Sequence, residues 1–366
     1  MKKAAVIPAV LLAALCSFSG CGKEEVEQAI APLVSDEQTT EESKEVQEEK
    51  DPVIPEIDTS VEIQPGARIA VVSKSTSGEY WNLVKKGMEQ AVADVNQAYG
   101  FSKAEQVSMT FEGASDENDV TSQINTLDAV IAENPDVLCI SASDMDSCQA
   151  QLEAAKENGI PVVAFDSGVS DTKMVRAFRG TDNKRVGGIA AYRLAVSIGK
   201  MGKVAVFSAQ EKTQSIQERI SGFTKYIANY PDIEVVEIVY EDQVEDMTAA
   251  MQDVLARYPQ LDGVFCTNAD ISDLYLDMEK DETLDSVVMV GVDATAKQQK
   301  AIREGKEAGT VSQHPYAMGY QTAWTALQTT APKKSVEIKR NVRIDPVWID
   351  ADTIDDEAYS AYLYEN

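Results

Sequence analysis

The chain has 366 residues, 61 Asp and Glu against 33 Lys and Arg, a formal charge of −28, and 44% apolar side chains. That length suits about two domains of roughly 150 residues, and the apolar share is enough to build a real core. The charge excludes nucleic acid, which needs a basic surface, and electrostatic attraction to an anionic membrane; beyond that, acidity implies only a soluble surface.

Residues 1–20 read as a targeting segment, with Lys2 and Lys3, an apolar stretch from Ala4 to Leu15, and Phe18-Ser19-Gly20 before Cys21. The apolar run is too short to span a bilayer. Its ending resembles a bacterial lipoprotein signal, with Phe18 in place of the usual Leu, so Cys21 is the expected lipidation site. Acyl chains there anchor a protein to the outer face of a membrane rather than through it. An ordinary secretory signal with an incidental cysteine is the alternative. Between Gly22 and Gln64 fourteen acidic residues meet three lysines and no aromatic residue. Such a stretch cannot offset its chain entropy by burial, which makes 21–65 an acidic, flexible tether. Cys139, Cys148 and Cys266 suggest no disulfide framework, and with no CxxC or Cys/His cluster a metal site is not expected.

At Arg68 the pattern changes to that of a sheet buried on both faces. Arg68–Ser73 is a continuous apolar strand. A polar loop, Lys74 to Glu79, precedes a helix from Tyr80 to Tyr99 with Leu83, Val84, Met88, Ala91, Val92 and Val95 on one face. Strands follow at 107–111, 137–141 and 162–165, with helices at 120–133 and 145–158, the latter stopped by Gly159. Near Asp182 the cycle restarts: helix 185–198, strand 204–208, helix 214–230, strand 235–240 and helix 245–258. Two short apolar runs, ending at Asn268 and Asp293, flank a further polar helical segment. Strand 309–313, helix 316–328 and two extended pieces within 336–349 complete the chain. Alternation of strands with helices of about a dozen residues means parallel sheets with right-handed crossovers.

The spacing from Cys139 to Asp166 is 27 positions, and so is that from Cys266 to Asp293. Each interval runs strand, polar tip, helix, strand, Asp, so two similar halves are expected to face each other. Ligands bind open parallel sheets at the carboxyl ends of the strands, which here carry Ser73 to Trp81, Asp144, Asp166, Asn268, Asp270, Asp293 and Gln313, with Arg219 early in a helix beyond such an end. Carboxylates and guanidinium suit paired hydroxyls, and an aromatic ring covers the C–H face of a sugar. Each residue also has a plain structural role open to it: a strand-end Asp as a helix cap, Tyr80 and Trp81 as core anchors, Arg219 as a bridge to a carboxylate. Tyr320 and Trp324 read as core.

From about Arg68 onward the chain resembles the periplasmic-type sugar-binding proteins of ABC importers, the ribose- and galactose-binding group with the type I fold. The resemblance rests on Ile69-Ala-Val-Val-Ser73, Tyr80-Trp81, Pro161-Val-Val-Ala-Phe-Asp166, Gly180-Thr-Asp-Asn183 with Gly187-Gly188, Arg219-x-x-Gly-Phe223, Val264-Phe-Cys-Thr-Asn268, Val290-Gly-Val-Asp293 and Gly309-Thr-Val-Ser-Gln313. It implies an α/β fold of two Rossmann-like lobes joined by a three-segment hinge, 66–181 plus 314–335 and 182–313 plus 336–366. It also implies that Tyr80 and Trp81 stack on a sugar ring while Asp166, Arg219, Asn268, Asp293 and Gln313 bond its hydroxyls. Ser167 stands where ribose binders carry Arg, Val292 where they carry Phe, and the loop before Tyr80 is one residue longer, with Glu79 beside the aromatic pair. Sugar identity is therefore expected to turn on Ser167.

The function this implies is a lipid-anchored, extracytoplasmic and monomeric solute-binding protein, delivering a monosaccharide or polyol to an ABC permease without a cofactor. A sugar sensor feeding a membrane kinase or chemoreceptor is the alternative. Catalysis is not expected: there is no nucleophile elbow, HExxH or P-loop, and one histidine, His314. The signal segment and the lack of a helix-turn-helix exclude a transcription regulator.

Overall fold

The computed structural model describes residues 53–278, 286–332 and 336–364. Cys21 and most of the expected tether lie outside the described residues. The first lobe runs β1 (Arg68–Ser75), α1 (Gly78–Ala98), β2 (Ser108–Ala114), α2 (Val120–Ala132), β3 (Val137–Ile140), α3 (Gln149–Glu157), β4 (Val162–Phe165) and β5 (Ala177–Thr181). The chain then crosses into α4 (Asn183–Ser197), β6 (Gly202–Ser208), α5 (Gln214–Ile227), β7 (Ile233–Tyr240), α6 (Met247–Arg257), β8 (Gly263–Cys266), α7 (Ala269–Asp277), β9 (Val288–Val292), α8 (Ala296–Arg303) and β10 (Gly309–Ser312). It returns through α9 (Pro315–Thr329) and β11 (Asn341–Ile344) and crosses a third time into β12 (Val347–Ile349).

Two six-stranded sheets result, ordered β11-β5-β4-β3-β1-β2 and β12-β10-β9-β8-β6-β7. Their pairings are parallel except for β12 against β10. β3, β4, β8 and β10 are buried at every position, as expected of strands covered by helices on both faces. In the first lobe α1 and α9 bury Val84, Met88, Met318, Ala323 and Trp324 against Val71, Cys139 and Phe165 on one face. The other face carries Leu127, Ile131 and Leu152.

Helix contacts without side chains set how closely each lobe packs. A Cβ on Gly187 of α4 would lie 1.9 Å from the Arg219 carbonyl oxygen, and one on Gly222 of α5 would lie 2.1 Å from that of Lys184. Gly87 of α1 and Gly319 of α9 make the equivalent crossing in the first lobe, at 2.0 Å from the Tyr316 oxygen and 2.1 Å from the Val84 oxygen. The backbones touch at both crossings, so larger residues must part the helices.

Several expectations need correction. β5 escapes a sequence reading because Ala-Phe-Arg-Gly-Thr has no apolar run. Its Arg179 is nonetheless buried and donates to the carbonyls of Phe178 and Lys339 at 2.7 and 2.9 Å; burial pushes its guanidinium down to about 10. Residues 145–148 form turns, so α3 begins at Gln149. The stretch 57–64 is not tether: Val61 and Ile63 are buried in the first core, and the Gln64 N–H donates to Thr330 Oγ1 at 3.0 Å. Nor does everything after 336 join the second lobe, because β11 pairs in parallel with β5 of the first. Finally, the two cysteines are not equivalent. Cys139 pairs with Val71 and Cys266 with Phe207, one residue apart relative to the strand-end Ser73 and Ser208. Successive strand residues face opposite ways, so Cys139 faces α1 and α9 while Cys266 faces the side opposite α4 and α5.

Gly222→Ala is expected to cost about 1–3 kcal/mol, the usual price of overpacking. Urea unfolding measures it, and an unchanged midpoint would show that α4 and α5 part freely.

Candidate functional site

The lobes enclose a cleft of about 850 Å³ at the carboxyl ends of the strands. Its two strand-end aspartates share a backbone feature that spacing does not reveal. Asp166 has φ 53° and Asp293 φ 80°. Each N–H still donates to the neighbouring strand, Asp166 to the Arg179 carbonyl at 2.9 Å and Asp293 to that of Val311 at 3.0 Å. Both aspartates line the cleft. Left-handed backbone costs about 1–2 kcal/mol for most residues and is best tolerated by Gly, Asn and Asp.

Asp166 is 4% exposed and heavily compensated. Its Oδ1 accepts from the Tyr80 hydroxyl at 2.7 Å, and its Oδ2 from Ser141 at 2.9 Å and Ser167 at 3.0 Å. Lys74 Nζ lies 3.1 Å from that Oδ2 and 3.3 Å from Glu117. Burial alone would depress the Lys74 ammonium, but Asp166 and Glu117 outweigh it and its pKa rises. Burial likewise pushes Asp166 up, and Lys74 with the Tyr80 hydroxyl more than reverses it. Both shifts favour the ion pair. The Tyr80 phenol is driven well above its ordinary value by burial and then by Asp166.

Among the described residues no cation pairs with Asp293. Its Oδ1 accepts from Gln313 Nε2 at 2.6 Å and the Tyr364 hydroxyl at 2.9 Å, and its Oδ2 from the Ala269 N–H at 2.9 Å. Arg219, 3% exposed, donates from Nε to Asn183 at 2.9 Å and from Nη1 to the Thr267 carbonyl at 2.7 Å. Hydrogen-bonding capacity shows what remains for a ligand. Each aspartate keeps about one acceptor position, on Asp166 Oδ1 and Asp293 Oδ2, and Arg219 keeps about three N–H groups.

Seven of the eight ligand-site residues expected from sequence line the cleft: Tyr80, Trp81, Asp166, Arg219, Asn268, Asp293 and Gln313. Ser167 does not. Fully buried, it donates to Asp166 and bonds Ser215 of the opposite lobe at 2.9 Å. Asn268 caps α7, accepting from the Ile271 N–H, and Asp144 holds a turn, accepting from Asp146 and Ser147. Trp81 donates from Nε1 to Glu117 at 2.6 Å and meets Tyr80 edge-on, centroids 5.1 Å apart.

Sequence reasoning missed Glu117 and Tyr364, and placed Lys74 in the Ser73–Trp81 stretch without assigning it a role. Lys74 follows an apolar run and reads as loop polarity; its one signal is that it directly precedes the tip leading to Tyr80 and Trp81. Tyr364 lies about 70 residues from Asp293, and nothing local marks it. The lobes meet through Thr181 donating to Gln313 at 2.7 Å, the Ala296 N–H donating to Glu79 at 2.9 Å, and Asn118 donating to Glu241 at 2.9 Å.

Closure also brings like charges together. Asp270 opens onto the cleft but stands among protein and carboxylates. Burial first, then Glu117 of the opposite lobe, Glu241, Asp293 and Asp273, raise it to about 7. Glu241 and Asp273 rise as well, with burial the main cause.

Two open parallel-sheet lobes, crossed three times by the chain above a polar cleft, define a two-lobed binding protein of the type I architecture. The chain belongs to the periplasmic binding protein domain family, which matches residues 69–334. It is 26% identical over 203 residues to the ribose import binding protein RbsB of Bacillus subtilis, covering 56% of this chain and 66% of that one. It is 24% identical over 216 residues to a xylitol-binding protein of Mycolicibacterium smegmatis, covering 58% and 61%. The match thus spans just under two thirds of the length of these relatives. Among solved structures, an ABC transporter solute-binding protein from Agrobacterium vitis bound with alpha-D-tagatopyranose is 26% identical with a TM-score of 0.74, covering 82% of this chain and 100% of that one. A carbohydrate transporter solute-binding protein from Agrobacterium radiobacter in complex with D-arabinose is 28% identical with a TM-score of 0.73, covering 81% and 98%. Among the described residues no helix is long and apolar enough to cross a membrane.

Lys74→Met strands Asp166 beside Glu117 without their shared cation. Breaking a buried pair costs about 3–5 kcal/mol, and Lys74→Met with Asp166→Asn is expected to regain part of it in urea unfolding. For Asp270 a raised folded pKa means that the native state holds more protons than the unfolded one between about pH 4 and 7, so its contribution to stability falls as pH rises through that window. Asp270→Asn is therefore expected to raise the thermal midpoint at pH 8 more than at pH 5.

Proposed function

We propose that the protein is a lipid-anchored extracytoplasmic solute-binding protein that captures a monosaccharide or polyol in its interlobe cleft and delivers it to an ABC permease. The observation that carries this reading is the pair of left-handed strand-end aspartates, each with an acceptor to spare, beside an Arg219 with unspent donors and the Tyr80–Trp81 wall. Vicinal hydroxyls need donors and acceptors held within one ring's width of each other, and the aromatic wall suits the C–H face. The sugars and polyol named for the relatives support the same ligand class. The lipoprotein-like ending at Cys21 supports the anchor, and closure of the lobes around ligand supplies a form that a permease can distinguish from the open one.

A thermal-shift screen over pentoses, hexoses, deoxysugars and polyols tests the reading, since bound ligand raises the midpoint by mass action. Asp293→Ala and Arg219→Ala are expected to lose the ligand-induced shift while remaining folded, and solution scattering should become more compact with the sugar that binds. Shifts retained in both variants would remove these residues from the site.

A further inference from the structure

Nine carboxylates line the cleft against three cationic side chains, Lys74, Arg219 and Lys297. The cations are largely committed: Lys74 to Asp166 and Glu117, Lys297 to Asp273 and Asp277. Arg219 spends its observed bonds on an amide and a carbonyl. Asp270 of α7 and Glu241, which follows β7, have no cation beside them among the described residues; Glu241 accepts only the Asn118 amide, at 2.9 Å.

A second observation at the same end of the cleft concerns hydrogen-bond polarity. The Glu241 carboxylate only accepts, so Asn118 must present its NH₂ there and turn its Oδ1 away. That Oδ1 receives Gln210 Nε2 at 3.4 Å, which in turn fixes the orientation of Gln210. Gln210 lines the cleft, is 8% exposed, and is left with an Oε1 that has no donor. A buried acceptor without a donor costs about 1–3 kcal/mol. Glu241 and Gln210 therefore present acceptors at this end of the cleft, and Asp270 does so once ionised beside a cation, all from the second lobe and facing Asn118 and Glu117 of the first.

Resting on the sugar-binding reading above, we propose that the ligand of this cleft is an amino sugar or aminopolyol, whose protonated amine sits at the Asp270–Glu241 end while its hydroxyls engage Asp166, Asp293 and Arg219. A neutral sugar leaves Asp270 and Glu241 facing Glu117 across the cleft with like charges and no cation between them among the described residues. An ammonium supplies three donors and the missing charge at once. A metal ion does not fit, because no group of three His, Cys, Asp or Glu side chains among the described residues is close enough to hold one.

Calorimetry at pH 7 on the whole mature protein tests this with matched sets: D-glucosamine, D-galactosamine and 1-amino-1-deoxysorbitol, each against its neutral parent and its N-acetyl form. At least one amine is expected to bind ten-fold or more tightly than both its counterparts. Asp270→Asn, nearly isosteric and checked for folding by its thermal midpoint, is expected to cut that amine-to-parent ratio about ten-fold. Neutral sugars binding as well as their amines, or a ratio unmoved in Asp270→Asn, overturns the amine assignment and leaves the sugar-binding reading intact. No heat with any compound, amine or neutral, removes both.

Discussion

Two carboxylates buried at the ends of parallel strands have to be compensated, and the cleft is organised by the two ways in which this is done. Asp166 is neutralised by the Lys74 ammonium and three hydroxyls. Asp293 receives only neutral donors, from Gln313, Tyr364 and the N–H that opens α7. A buried charge without such partners would cost several kcal/mol, so these partners are what let carboxyl groups sit in the space between the lobes. The asymmetry is chemical as well as structural. One lobe presents an ion pair under aromatic rings, the other a carboxyl group held by uncharged donors.

Both aspartates occupy left-handed backbone, and both still donate their own N–H to the neighbouring strand. The parallel sheet thus ends in the same geometric device twice, once per lobe. Helix packing supports the device from behind. Gly187 and Gly222 bring α4 and α5 into backbone contact at Arg219 itself, so this cleft-lining residue is seated by a crossing that admits no side chain. Tyr364, from the end of the described chain, reaches Asp293 and lies 6.1 Å from the Tyr80 ring. The tail thereby touches both sides of the cleft.

Closure has an electrostatic cost that follows from the composition. With a charge of −28 over the chain, acidic side chains from the two lobes face each other across the cleft. Glu117 and Glu79 face Asp270, Glu241 and Asp273, and burial, with that crowding added, raises the carboxyls of the last three. An ordinary surface would dilute such repulsion in solvent. An enclosed cleft concentrates it, which couples the charge of whatever fills the cleft to the ease of closing it.

Local patterning along the chain reveals the alternation of strands and helices, the doubled architecture and seven of the residues that line the cleft. Those are local properties: a strand buried on both faces must be apolar throughout, and a polar residue directly after it must lie at the sheet's end. Hence Tyr80, Trp81, Asp166, Arg219, Asn268, Asp293 and Gln313 were legible, whereas β5, interrupted by a buried arginine, was not. The 27-residue repeat pointed to two real halves while pairing the wrong cysteines, because a one-residue offset in a strand exchanges its faces. Folding in three dimensions brings Lys74 to neutralise Asp166, sets Ser167 against that carboxylate from outside the cleft, and returns Tyr364 and β11 to elements far away in sequence. The reason is that compensation of a buried charge is settled by distance in space, and a partner 70 residues away leaves no mark on the periodicity of the chain around it.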